Sequence, residues 1–115
     1  MIEFIHTTDN FARFLSVLTL GEVRKGIAKK RRSDPTGALE LTAWEAQLRK
    51  DFADRVLAIT MEVAEIWGTL AADRSRPVID TLIAATAIAN GLTLVTRNTA
   101  DFRGLDLELV NPWEN

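Results

Sequence analysis

The chain has no cysteine and a single histidine, His6, among its 115 residues. The first absence excludes disulfides, thiolate metal sites and cysteine nucleophiles. The second leaves zinc sites and serine–histidine chemistry little to work with. No surplus of positive charge is present either: the formal net charge is -2, so any binding of nucleic acid must rest on a local patch. The opening residues, MIEFIHTTDN, lack the basic start and long apolar run of a signal peptide. The apolar stretch from Val78 to Ala89 contains Asp80 and is too short to span a bilayer, so a cytoplasmic protein with no membrane partner is expected. Internal repeats, low-complexity segments and an interdomain linker are also missing, and residues 1–115 read as one domain. What is there is the composition of a soluble globular protein, 47% hydrophobic and 26% charged. If this chain catalyses anything, carboxylates are its tools.

The apolar run FLSV (Phe14 to Val17) reads as a buried strand. After it, Leu20, Val23 and Ile27 recur at helical spacing in TLGEVRKGIAKKRR, with Thr19 as N-cap and Glu22 completing a capping box. SDPTG (Ser33 to Gly37) is turn-forming punctuation, and a second helix is expected through Leu41, Trp44, Leu48 and Phe52. RVLAI (Arg55 to Ile59) is the next strand. Thr60 then caps a helix that buries Val63, Ile66, Trp67 and Leu70. Pro77 suits the first turn of a further helix, which runs to about Asn90 and stops at Gly91. LTLVT (Leu92 to Thr96) and LELV (Leu107 to Val110) complete the strands. Strands alternating with helices predict an α/β domain with a mainly parallel sheet, where ligands gather beyond the carboxyl ends of the strands. That rule singles out Glu22 and Asp101.

Each acid also has an ordinary explanation. Glu22 is accounted for by the capping box, Asp80 by the helix dipole, and Asp101 by the loop RNTAD, where aspartate is commonplace. Asp80, however, has the apolar neighbours Val78, Ile79, Leu82 and Ile83, and a carboxylate buried among them needs a cation or a partner. Taken together, two acids at helix starts and one past a strand can converge at one sheet edge. Such a cluster suits Mg²⁺ or Mn²⁺, which take oxygen ligands. A divalent ion held there activates water and stabilises charge building on a phosphate. Thr96 and Asn98 lie beside Asp101 and suit a bound water or phosphate oxygen, or simply cap the turn.

FLSVLTLGEVRKGI together with VIDTLIAATAIANGLTLVTRNTADF (Val78 to Phe102) closely resembles PIN-domain proteins, specifically the toxins of VapBC toxin–antitoxin modules. The resemblance runs from about Phe14 to Trp113. It implies a three-layer domain with helices flanking the sheet, and an RNA-cleaving site in which Glu22, Asp80 and Asp101 belong to an acidic cluster binding Mg²⁺ or Mn²⁺. Thr96 and Asn98 match the polar residues that line such a site. Family members are typically homodimers inhibited by an antitoxin peptide that enters the active-site groove.

The N-terminus departs from the pattern. Family members begin with a central strand ending in a metal-binding Asp, then one or two helices; here thirteen residues precede Phe14, and Asp9 is only a loose stand-in. A parallel crossover needs about a dozen residues, so the segment before Phe14 cannot reproduce that connection. The first strand is therefore expected to be missing, or replaced by residues 2–5, another subunit or a partner. Two functions follow: a metal-dependent endoribonuclease toxin, or a catalytically impaired relative that dimerises and binds an antitoxin. A third possibility is a chain whose true start lies upstream. The basic run RKGIAKKRR (Arg24 to Arg32) is a solvated helix end or a track for RNA, with Arg24, Lys25 and Arg97 the candidates nearest the acids. Trp44 and Trp67 fall on apolar faces and read as core or dimer interface.

Overall fold

The computed structural model describes residues 4–6, 13–95 and 109–110, with backbone alone at 4–6, 95 and 109–110. Five strands and four helices follow in the order β1 (Phe4–His6), β2 (Arg13–Ser16), α1 (Val17–Ser33), α2 (Pro35–Asp51), β3 (Val56–Leu57), α3 (Met61–Asp73), α4 (Val78–Ala89), β4 (Thr93–Val95) and β5 (Leu109–Val110). They form one sheet with the order β3-β2-β1-β4-β5. β2 pairs with β3 and β4 with β5 in parallel, whereas β1 is antiparallel to both its neighbours. Four strands thus run one way and the short central strand runs the other.

That reversal has a plain physical cause. Residues 7–12 are all that separate His6 from Arg13, and a connection this short permits an antiparallel pair but not a parallel crossover. The register places Ile5 opposite Phe14 on one side and opposite Leu94 on the other. Residues 4–6 therefore fill the central position that the sequence left open.

Alternation along the strands sorts the core onto two faces of the sheet. Leu15 and its register partner Val56 pack with Leu20, Val23, Leu48 and Phe52 of the α1–α2 side. Phe14 and Leu57 point the opposite way, onto Ile83, Ala84 and Ala87 of α4. α1 packs against α2 and α3 against α4, which gives the three layers expected. Leu15 is fully buried at the centre of the first face.

Several local expectations are met. The Thr60 hydroxyl accepts from the Val63 amide at 3.2 Å and caps α3. Val63 is buried, with Ile66, Trp67 and Leu70 half-buried behind it. α4 ends at Ala89, and Gly91 takes φ +63, a conformation that favours glycine. Pro77 serves as the N-cap of α4 rather than lying within its first turn.

Others are corrected. α1 begins at Val17, with Ser16 as its N-cap: the Ser16 hydroxyl accepts from the Leu18 amide at 3.1 Å. Thr19 is consequently the third residue inside the helix, not its cap, and Glu22 lies in the second turn, too far along to close a capping box. SDPTG is not a turn. Asp34 alone breaks the helices: its amide donates to the Lys30 carbonyl at 2.7 Å, while its carboxylate accepts from the Gly37 amide at 3.0 Å. That Gly37 bond holds the Asp34 carboxyl below its ordinary range. Pro35 then starts α2 with a φ already suited to a helix. The strand expected over RVLAI shortens to Val56–Leu57.

Candidate functional site

α1 starts where β2 ends, at the carboxyl edge of the sheet. α4 runs through Asn90–Leu92 directly into the start of β4, so its own start lies at that same edge. Thr19 and Glu22 come from the beginning of α1 and Asp80 from the first turn of α4. All three line one groove of about 650 Å³. Its remaining wall is apolar: Val23, Gly26 and Ile27 of α1, Leu41 and Trp44 of α2, and Ile79 and Ile83 of α4. The groove therefore carries two acids and a threonine on an otherwise apolar wall.

With Ser16 as the cap, the local explanation for Glu22 disappears. Glu22 is exposed on the groove and makes no contribution to the helix start. Asp80 is half-buried rather than enclosed, and the helix dipole favours its charge. Asp101, Thr96, Asn98 and Arg97, like Asp9, lie outside the described residues. Among the described residues no group of three or more Asp, Glu, His or Cys side chains is close enough to hold a metal. The two carboxylates, Glu22 and Asp80, are nevertheless oxygen donors with no nitrogen or sulfur ligand beside them, which fits a hard cation such as Mg²⁺ or Mn²⁺ and not zinc.

The cations near the acids differ in their commitments. Arg24 reaches across to α2, donating from Nε to Glu45 Oε2 at 3.0 Å and from Nη2 to Glu45 Oε1 at 2.6 Å. Glu45 is 2% exposed, whereas the Arg24 side chain is 61% exposed and keeps part of its guanidinium toward solvent. The Arg24 hydrogen bonds hold the Glu45 carboxyl below its ordinary range, against the upward push of burial, and Glu45 raises Arg24 in turn. Arg49 adds a second, longer contact at 3.9 Å. Lys25 is exposed on α1.

Glu45 was missed from sequence, although a signal existed. It falls four residues after Leu41 and three before Leu48, on the same apolar stripe. Its pairing with Arg24 fixes the spacing of α1 and α2, which form two walls of the groove. Trp44 beside it is 44% exposed and lines the groove rather than the core.

Comparison with known proteins agrees with this fold. The PIN domain family matches residues 3–106. Plasmid stability protein StbB of Pseudomonas syringae pv. tomato is 36% identical over 106 residues, covering 88% of this chain and 76% of that protein. VapC ribonuclease Y4jK of Sinorhizobium fredii is 34% identical over 110 residues, covering 88% and 75%. Among solved structures, FitAcB from Neisseria gonorrhoeae superposes with a TM-score of 0.63 at 29% identity, covering 89% of this chain and 76% of that one. A toxin–antitoxin complex from Klebsiella pneumoniae gives the same TM-score, 0.63, at 26% identity, covering 89% and 75%. The chain belongs to the PIN-domain family, and its relatives place it with the VapC-like toxins. No helix among the described residues is long and apolar enough to cross a membrane.

Proposed function

We propose that this protein is a Mg²⁺- or Mn²⁺-dependent endoribonuclease, the toxin of a type II toxin–antitoxin pair acting in the cytoplasm. The observation that carries this reading is that Glu22 and Asp80, from two helices far apart in sequence, both line a single groove. Glu22, Asp80 and Asp101 hold the ion, with Thr96 and Asn98 completing the polar lining. When bound, the ion supplies acidification of water and neutralisation of charge on the scissile phosphate. The carboxylates fix where that charge is met, and the half-buried setting of Asp80 limits competing water. Lys25 and Arg97 neutralise phosphates of the RNA strand approaching the acids. Arg24 contributes through the part of its guanidinium that Glu45 leaves exposed. The apolar flank from Val23 to Trp44 receives a segment of the antitoxin, and the active form is a homodimer. The names of the relatives, a VapC ribonuclease and toxin–antitoxin complexes, support this assignment.

One observation favours a second reading. β1 ends at His6, beside Arg13 and Thr93 at the beginnings of β2 and β4. The carboxyl end of the central strand, from which the family's first Asp is delivered, thus lies at the edge away from Glu22. With three acids instead of four, Mg²⁺ binds more weakly, since it gives up its waters reluctantly. On this reading the protein dimerises and captures its antitoxin without cutting RNA. Incubating the purified chain with a structured RNA and Mn²⁺ separates the two. Cleavage that disappears in both Asp80→Asn and Asp101→Asn supports the nuclease. Cleavage unchanged in both variants removes these acids from the mechanism, and a chain that binds antitoxin but never cuts RNA is the impaired module.

A further inference from the structure

Thr19 is 4% exposed, and its hydroxyl oxygen is buried with no hydrogen-bond partner among the described residues. A buried hydroxyl without a partner is uncommon, because desolvation is not repaid by any bond. The other helices show what a threonine does by default. Thr42, Thr69, Thr81 and Thr86 each donate to the carbonyl four residues back, at 2.8, 3.2, 2.7 and 2.8 Å. Thr19 has no such outlet in its helix, because the residue four back, Leu15, belongs to β2. It is not the cap either, since Ser16 fills that role. Thr19 lines the groove three residues before Glu22, and residues at that spacing share a helix face about 5–6 Å apart. Asp80 lines the same groove from α4.

We propose that the Thr19 hydroxyl accepts a hydrogen bond from a hydration-shell water of the divalent ion, acting as a positioning residue that never touches the ion itself. A water bound to a cation turns its lone pair toward the metal and offers only protons. It therefore needs acceptors, and the hydroxyl is one that adds no further negative charge beside two carboxylates. Mg²⁺ in particular retains several waters, so groups that hold those waters set both affinity and orientation. This inference rests on the reading that Glu22 and Asp80 bind the ion.

The test is a Mn²⁺ titration followed by the paramagnetic resonance signal of the free ion, with thermal unfolding in chelator, on four proteins. These are the unmodified chain, Thr19→Val, Thr19→Ser and Glu22→Gln. Thr19→Val keeps the shape and removes the hydroxyl; it is expected to weaken Mn²⁺ binding by about 10–100-fold while leaving the melting temperature in chelator unchanged. Thr19→Ser is expected to restore binding. Thr19→Val binding Mn²⁺ as the unmodified chain does, while Glu22→Gln does not, overturns the role of Thr19 alone. A fall in melting temperature for Thr19→Val in chelator also overturns it, because the hydroxyl then serves the fold through an internal water. Glu22→Gln binding as well as the unmodified chain, or no binding by any of the four, defeats the metal-site reading and this inference with it.

Discussion

Whether Glu22 is free to serve a ligand depends on which residue starts α1, and that can be measured. If Ser16 is the N-cap, Ser16→Ala removes its bond to the Leu18 amide. Loss of a serine cap costs about 1 kcal/mol, with a range of roughly 0.5–2. For a domain of this size, 1 kcal/mol corresponds to roughly 3–6 °C in melting temperature, interpolating between smaller and larger domains. Glu22→Ala makes the opposite case. Glu22 is exposed in the second turn, alanine is the best helix former, and substitutions away from any structural bond change stability by about 0.5 kcal/mol at most. The Glu22→Ala chain is therefore expected to melt within about 3 °C of the unmodified protein in chelator. With Mn²⁺ at about 100 times its dissociation constant, the unmodified chain gains about 2.7 kcal/mol by mass action, and the variant gains little. Thermal melts followed by circular dichroism, with and without Mn²⁺, provide both comparisons. A Glu22→Ala chain that loses several degrees in chelator while Ser16→Ala melts normally would refute the reasoning, since the helix would then begin at Thr19 and Glu22 would be its structural partner.

Acid should weaken the α1–α2 contact. Glu45 titrates below its ordinary value of 4.5 in the folded state, so its contribution is complete above that pH and fades as pH falls through the lowered folded value. The gap in melting temperature between the unmodified chain and Glu45→Gln is expected to narrow below about pH 4.5; a gap constant down to about pH 3 would contradict this. The direction of β1 can be read by cross-linking, because the chain has no cysteine of its own. Phe4 faces Val95 in the register, and a disulfide needs Cα atoms about 4.4–6.8 Å apart. The Phe4→Cys/Val95→Cys pair should close under mild oxidation and Phe4→Cys/Thr93→Cys should not; the reverse outcome would mean a parallel strand.

Where structure follows from neighbouring residues, the sequence was legible. Thr60 with its apolar face three residues on, and Gly91 after Asn90, are local signals, and the structure honours both. At Ser16 and Thr19 two residues of equal capping chemistry lie three apart, and the choice turned on where β2 releases the chain, which depends on its pairing with β3. Glu45 was hidden because a charged residue on an apolar stripe is buried only if a partner arrives from elsewhere, here Arg24 from another helix. β1 was hardest: three residues carry no directional signal, and their orientation comes from a connection too short to cross over. At the site, the carboxyl-edge rule pointed to Glu22 and Asp101, whereas Asp80 was singled out by its apolar neighbours; the structure sets Glu22 and Asp80 in the lining of one groove. The orphaned hydroxyl of Thr19 was not legible, because its isolation is a property of the packed groove.

The most direct test of the central claim maps the ion itself. Fe²⁺ substitutes for Mg²⁺ at oxygen-lined sites, and with ascorbate and peroxide it generates radicals that cut the polypeptide where it sits. If Glu22 and Asp80 share one ion, the chain should be cut beside both residues, and excess Mg²⁺ should suppress the two cuts together. Scission at only one of them, or at neither, would contradict the account.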